Sequence, residues 1–232
     1  MVARALILAA GRGERMRPLT DETPKPLLAA RGKPLVEWQL EALARAGVRE
    51  VVINTAWLEE QFPATLGDGS RWGLAIHYQP EGRLYGGALE TAGGIATALP
   101  LLAPHGEEAF WVIAGDLYAP GFAFDDARRR EFEAGRALGH LWLVPNPGFN
   151  AEGDFALGAD GLLSREGERR WTYASIALLR PALVAGIAPG RRAALREPLF
   201  AAAAAGRLSG EPWRGEWHNL GTPAQLNELN AG

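Results

Sequence analysis

Two patterns of hydrophobic and polar positions alternate along the first half of the chain. The runs at residues 6–8 and 110–114 are short and continuously apolar, which is typical of strands buried on both faces of a parallel sheet. Residues 34–47 instead carry apolar side chains at i, i+4 and i+7, with a proline at the start and a glycine at the end. That spacing predicts an amphipathic helix.

Further strands and helices follow in the same alternating order. Residues 49–56 and 74–79 have strand-like composition, residues 57–66 predict a short helix disturbed by Pro63, and 95–102 predict an apolar helix after a glycine-rich loop at 81–94. Such alternation predicts an α/β fold with a doubly wound, mostly parallel, Rossmann-like sheet. Ligands of such sheets bind beyond the carboxyl ends of the strands.

The second half of the chain is less regular. Residues 137–147, 153–163 and 169–179 predict strands with hairpin turns, so we expect a small antiparallel lobe there. A helix near 197–206 and a polar strand region at 207–220 precede a last helix that begins at Thr222 and Pro223. The 232 residues, 47% of them hydrophobic, fit one domain (1–232) with halves at about 1–120 and 121–232.

Charge and composition exclude several classes of partner. The net charge is −3, so no basic field attracts nucleic acid or an anionic membrane. The absence of cysteine excludes disulfides and thiolate metal sites. No apolar run approaches the ~20 residues of a membrane span, and the first residues lack an export signal, so we expect a cytoplasmic protein. The oligomeric state stays open.

The segment 8–28, LAAGRGERMRPLTDETPKPLL, places glycines and cations directly after the first predicted strand. Gly11 and Gly13 allow positive φ and bring backbone N–H groups close to an anion. Arg15, Arg17 and Lys25 supply the positive charge that would close over it. This pattern predicts a phosphate-binding loop.

Two better-known phosphate loops do not fit this segment. The dinucleotide fingerprint needs a third glycine where this chain has Met16. A Walker loop needs Ser or Thr after Gly-Lys, and Lys33 is followed by Pro34. A nicotinamide oxidoreductase is therefore disfavoured.

The segment resembles the signature of the sugar-phosphate nucleotidyltransferases, GxGxRxxPxTxxxPKPL, at nine positions from Gly11 to Leu27. Within that family the stretches INTAWLEEQ, LGDGSRWGL, LETAGGI and AAGRLSGEPWRGEWHNLGTP resemble the uridylyltransferases that act on N-acetylmuramate α-1-phosphate. The resemblance implies Mg²⁺-dependent transfer of UMP from UTP to N-acetylmuramic acid 1-phosphate, with release of pyrophosphate, in peptidoglycan recycling. It also implies that the antiparallel lobe binds the sugar.

The resemblance implies a role for particular residues of this chain. They are Arg15 and Lys25 in catalysis; Ala10, Gly11, Gly13, Arg15, Glu90, Thr91, Gly93 and Gly94 in nucleotide binding; Asn150, Gly153, Asp154 and Glu168 in sugar binding; and Asp116 and Asn219 as Mg²⁺ ligands. Asp116 follows an apolar strand and a glycine, where a carboxylate oxygen suits a hard cation. Asn219 stands where many relatives have aspartate, so we expect weaker Mg²⁺ binding.

Two alternative functions stay open on the sequence alone. One is a catalytically silent, nucleotide-binding regulatory protein, which Asn219 favours because it removes one negative charge from the metal site. The other is cytidylyl transfer to an amino-alcohol phosphate, which the same loop signature serves. Pyrophosphate release separates the first from an enzyme, and a screen of nucleotides and acceptors separates the second.

Overall fold

A nine-stranded mixed sheet forms the centre of the computed structural model, which describes residues 3–232. The strands are β1 (Arg4–Leu8), β2 (Ala29–Ala30), β3 (Lys33–Pro34), β4 (Glu50–Thr55), β5 (Ala75–Pro80), β6 (Phe110–Ala114), β7 (Leu117–Tyr118), β8 (Gly139–Val144), β9 (Phe155–Leu157), β10 (Leu163–Ser164), β11 (Arg170–Leu179), β12 (Leu208–Pro212) and β13 (His218–Asn219). The helices are α1 (Leu19–Glu22), α2 (Leu35–Arg45), α3 (Gln61–Leu66), α4 (Glu81–Tyr85), α5 (Glu90–Leu102), α6 (Asp126–Ala134), α7 (Arg196–Ala204) and α8 (Pro223–Ala231).

The order of the strands confirms the predicted mostly parallel α/β sheet. Strands β5, β4, β1 and β6 are parallel neighbours, and β11 joins β6 in the antiparallel sense. Long strand β11 then pairs with both β8 and β9, and β10 and β12 extend these two branches. The predicted antiparallel part of the second half therefore continues the central sheet rather than standing apart from it.

Helices cover both faces of the sheet, as the doubly wound prediction requires. Successive side chains of β1 point to opposite faces. Ile7 packs into the cluster that contains Leu40 of α2, and Leu6 packs into the cluster that contains Ile95 of α5. All four side chains are fully buried. No helix within residues 3–232 is long and apolar enough to span a membrane.

The last helix closes over the start of the chain. Thr222 caps α8: its hydroxyl accepts from Gln225 N, and the Gln225 side chain accepts from the Thr222 N–H. This confirms the start predicted from Thr222 and Pro223. Leu226 of α8 shares a small buried cluster with Met16 of the glycine-rich loop.

The structure corrects one predicted loop. Residues 81–94 contain α4, and α5 begins at Glu90, so the ETAGG stretch forms the first turns of a helix. A loop is predicted there because glycine has a low helix propensity, but tertiary packing outweighs local propensity in this case.

Candidate active site

The predicted phosphate loop leaves β1 at the centre of the sheet. Ala9 N donates a hydrogen bond to Asn54 Oδ1 at 2.8 Å, which fixes the point where the loop departs. Gly13 adopts φ 69°, as predicted, and its carbonyl accepts from the Thr20 hydroxyl at 2.9 Å. The prediction of positive φ at Gly11 is wrong, because only Gly13 of this pair lies in the left-handed region.

The three cations of the loop have different environments. Lys25 is buried, with 8% of the residue exposed, and its Nζ donates to Asp116 Oδ2 at 2.6 Å. Arg15 is exposed, lies against Gly221 and has no ion-pair partner among the described residues. Arg17 pairs with Asp21 on the surface at 2.7 Å. Arg15 thus remains available to an anion, whereas Arg17 is already neutralised by protein.

One predicted metal ligand, Asp116, lies in the turn between β6 and β7, and the other, Asn219, lies on β13, which pairs with β7. β6 ends at Ala114, and Gly115 N donates to Leu8 O at 2.8 Å. A Cβ at Gly115 would lie 2.9 Å from that same oxygen, so only glycine allows this turn. Asp116 follows it, and Asn219 of β13 pairs with Leu117 of β7. Residues more than 100 positions apart are therefore brought together, as the roles implied by the family resemblance require.

A cavity of about 1110 Å³ joins the predicted nucleotide, metal and sugar groups. The predicted residues that line it are Glu90, Thr91, Asp116, Asn150, Gly153, Asp154 and Asn219. Lys25 reaches its edge through Asp116. The predicted residues outside its lining are Ala10, Gly11, Gly13, Arg15, Lys25, Gly93, Gly94 and Glu168.

Gly93 and Gly94 lie close to neighbouring protein atoms that a side chain would meet. Both are buried within α5. A Cβ at Gly93 would collide with the Arg191 carbonyl, and one at Gly94 would lie 2.7 Å from Asn54 Nδ2 and 2.8 Å from Glu81 Oε1. Protein packing therefore accounts for the absence of side chains at both positions, and their role in nucleotide binding stays a prediction; Glu90 and Thr91 of the same stretch line the cavity.

A buried polar network fixes the start of α5, and the sequence analysis missed it. The Glu81 carboxylate is fully buried and accepts from Asn54 Nδ2 at 2.8 Å, Gln79 Nε2 at 3.0 Å and Leu89 N at 2.7 Å. These bonds offset the cost of burying the charge. The sequence signal for this network is the pair of polar residues, Asn54 and Gln79, near the ends of two apolar strands. The network ties the ends of β4 and β5 to the segment that carries Glu90.

Three of the four predicted sugar-binding residues are held against β11. Asp154 Oδ2 accepts from Tyr173 N at 2.8 Å and from Asn150 Nδ2 at 3.2 Å. Gly153 has φ 67°, and a Cβ there would lie 2.8 Å from the Arg170 carbonyl carbon, so glycine is required. Glu168 is exposed and lies outside the cavity lining.

Arginines not singled out in the sequence line the cavity near its second-half residues. They are Arg165, Arg170 and Arg196. The guanidinium groups of Arg165 and Arg196 lie 4.0 and 5.0 Å from the centre of the Phe200 ring. Cation–π contacts of this kind hold both groups in place. No sequence motif surrounds these residues, so only the tertiary structure shows them.

The donor set suits a hard divalent cation. A carboxylate and an amide side chain line one cavity, and the Lys25 ammonium already lies against that carboxylate. Mg²⁺ prefers oxygen ligands and keeps several from water and substrate phosphates. Within residues 3–232 no group of three or more His, Cys, Asp or Glu residues is placed to hold a metal, so the remaining ligands would have to come from outside the protein.

Comparisons with known proteins agree with this geometry. The nucleotidyl transferase family profile matches residues 4–146. An N-acetylmuramate alpha-1-phosphate uridylyltransferase from Neisseria meningitidis serogroup B is 45% identical, with 98% of this chain and 97% of that protein aligned. A Caulobacter vibrioides protein of the same name is 34% identical, with 94% and 92% aligned.

A solved structure shares the fold. It is a glucose-1-phosphate thymidylyltransferase from Bacillus anthracis, with a TM-score of 0.76, 22% identity and coverage of 99% of this chain and 94% of that one. The likeness covers the whole sheet. The family profile and the two full-length relatives show that the chain belongs to the nucleotidyl transferase family, among the sugar-1-phosphate nucleotidyltransferases.

Proposed function

We propose that the protein transfers UMP from UTP to N-acetylmuramic acid 1-phosphate, with Mg²⁺, and releases pyrophosphate. The observation that carries the proposal is the contact of Lys25 Nζ with Asp116 Oδ2 at 2.6 Å, at the edge of a cavity that continues to Asp154. That cavity is large enough for a nucleotide beside a sugar phosphate. The names of the two full-length relatives support UTP and N-acetylmuramate.

The reaction needs charge neutralisation and alignment rather than a general base. The phosphate oxygen of a sugar 1-phosphate is already anionic, so it can attack the α-phosphorus of the nucleotide once the two are held in line. In this proposal Lys25, whose ammonium contacts Asp116, stabilises the negative charge on the α-phosphate. In this proposal Arg15, which has no ion-pair partner among the described residues, and the N–H groups of the glycine loop hold the departing pyrophosphate.

Asp116 and Asn219 would hold the metal, each through one side-chain oxygen. When bound there, Mg²⁺ neutralises phosphate charge and orients the phosphate oxygens. The buried pair with Lys25 gives Asp116 a fixed direction before any substrate binds. The Glu81 network fixes the opposite wall of the cavity, where Glu90 and Thr91 stand.

We infer a role in peptidoglycan recycling in the cytoplasm, since the proposed acceptor is a cell-wall sugar and the donor is a nucleoside triphosphate. The resemblance in the sequence and the names of the full-length relatives support the acceptor.

Pyrophosphate release tests the proposal. We expect it to be fastest with UTP among UTP, dTTP, CTP and GTP, and with N-acetylmuramic acid 1-phosphate among sugar 1-phosphates. UTP and dTTP differ at the 5-methyl group and at the ribose 2′-hydroxyl, and a pocket that senses only the methyl group discriminates weakly, by about 1–3 kcal/mol. A preference for CTP with an amino-alcohol phosphate would overturn the proposed substrates. Nucleotide binding without any pyrophosphate release would indicate a regulatory protein.

A further inference from the structure

Two of the residues that line the cavity have a left-handed backbone conformation although they are not glycine. Four such residues have positive φ in the described part of the chain: Arg31, Leu58, Glu90 and Ser175. Two of them, Glu90 and Ser175, line the cavity. Because a Cβ disfavours this conformation, such residues persist where the surroundings impose it, and they concentrate at functional sites.

Ser175 is the less expected of the two, because it lies inside a ten-residue strand. Its φ is 59°, and the pairing of β11 with β8 shifts register between Tyr173 and Ala177. The indole N–H of Trp217 donates to the carbonyl of Ala174 at 3.0 Å, so the bulge has its own hydrogen-bond partner. The bulge is therefore a built feature that turns residue 175 towards the cavity.

The bulge places Ser175 between the two halves of the site. The next residue, Ile176, pairs with Ile113 of β6, and Ser175 lines the cavity together with Ala114 and Asp116, which follow that strand position. On the other side, Tyr173 N donates to the Asp154 carboxylate. The Ser175 hydroxyl makes no hydrogen bond to any residue between 3 and 232, and the residue lines the cavity.

A glycine would satisfy this backbone better than serine does. Glycine adopts positive φ without steric cost, so a purely structural bulge has no need of a side chain at this position. The serine hydroxyl, in contrast, can donate one hydrogen bond and accept two. A strained residue whose polar group is left free in a substrate-sized cavity indicates a ligand contact.

We propose that Ser175 is a specificity-determining residue whose hydroxyl hydrogen-bonds an oxygen of the sugar 1-phosphate acceptor. The inference rests on the proposed function and goes beyond it by assigning an acceptor contact to the bulge. The acceptor fits better than the nucleotide because Ser175 lies on β11 two residues after Tyr173, whose N–H binds the predicted sugar ligand Asp154, whereas Glu90 and Thr91 lie on helix α5.

Two variants separate the hydroxyl from the backbone strain. Ser175→Gly removes both, and we expect the Tm to rise by about 2–4 °C while kcat/KM for the acceptor falls about 5- to 10-fold. Ser175→Ala removes the hydroxyl and keeps the Cβ, so the same kinetic loss should come without the gain in Tm. In both variants the KM for UTP should stay within twofold of the original value.

Arg31→Gly serves as the matched control for strain. Arg31 has φ 53° in the turn between β2 and β3, and its side chain is exposed. This variant should raise the Tm without changing either KM. It shows whether relief of strain by itself alters the kinetics.

Three outcomes would overturn the proposal. The first is Ser175→Gly with kcat/KM for the acceptor within twofold of the original, which would leave a structural bulge only. The second is an equal loss of kcat/KM for UTP and for the acceptor, which would mean that the hydroxyl does not contact the acceptor specifically. The third is the absence of pyrophosphate release by the unmodified protein with every nucleotide and sugar 1-phosphate, which overturns the proposed function first.

Discussion

Removal of the Lys25 ammonium should harm turnover far more than stability. Breaking a fully buried ion pair costs about 3–5 kcal/mol because one charge is left without a partner. The Asp116 side chain, however, is 30% exposed to the cavity, and water can replace part of what Lys25 supplies. We therefore expect Lys25→Met, which keeps most of the apolar stem, to cost about 1–2 kcal/mol of unfolding free energy.

The kinetic effect follows from where the charge develops in the reaction. Lys25 is proposed to offset negative charge on the α-phosphate in a site partly shielded from water, so Lys25→Ala and Lys25→Met should each lower kcat by about 100-fold or more. Lys25→Arg should restore little of it. The lysine is 8% exposed and its ammonium contacts a single carboxylate oxygen, so a wider guanidinium fork must displace its neighbours.

The metal dependence gives an independent reading of the same pair. Without the ammonium, Asp116 is free to bind a cation, so half-maximal rate should need less Mg²⁺ even though kcat is lower. Pyrophosphate release, measured against Mg²⁺ at saturating UTP and acceptor, provides both numbers, and thermal unfolding verifies the fold. Near-normal kcat in Lys25→Arg would refute the argument for a compact ammonium. Unchanged kcat in Lys25→Met would refute the catalytic role itself.

Three further predictions concern the metal site, the α5 packing and a buried histidine. Asn219→Asp should lower the Mg²⁺ concentration for half-maximal rate and Asn219→Ala should raise it; equal metal dependence in both would make Asn219 a structural residue only. Gly94→Ala should destabilise by about 1–3 kcal/mol because its Cβ would crowd Asn54 and Glu81, whereas Gly121→Ala, with open space around the added methyl, should leave the Tm within error. Burial lowers the pKa of His140 to about 4, so the unfolded chain binds more protons between about pH 6.5 and pH 4. The free energy of unfolding should therefore fall by about 3 kcal/mol as the pH is lowered from about 6.5 to about 4. His140→Gln should remove this component of the pH dependence in urea titrations.

Local sequence patterns were sufficient for most elements and for the metal edge of the site. Alternating strands and helices imply parallel strands, and parallel strands bring their carboxyl ends to one edge. Asp116 follows one such strand and was therefore predicted at the ligand edge, whereas Asn219 was assigned through the family resemblance; both line one cavity. The cap at Thr222 was predictable because its hydrogen bonds stay within four residues.

Contacts between distant segments were not predictable from local pattern. The glycines at 93 and 94 suggested a loop open to a ligand, but their missing side chains instead accommodate Arg191 and the Asn54–Glu81 pair. A glycine signals close approach without telling what approaches. Glu168 stays a prediction: it is exposed and outside the cavity lining, and charged residues near a hairpin give no indication of which one points inward.

The last helix shows how a local signal can have a distant effect on the site. Gly221 N and Thr222 N both donate to the Gln225 side chain, at 2.7 and 3.1 Å, so the cap of α8 also fixes the backbone that follows β13. Asn219 lies two residues before Gly221, and the Arg15 guanidinium lies against Gly221. The cap therefore holds a proposed metal ligand and a proposed pyrophosphate contact in fixed relation. The second half of the site depends on the position of α8 as much as on the strand that carries Asn219.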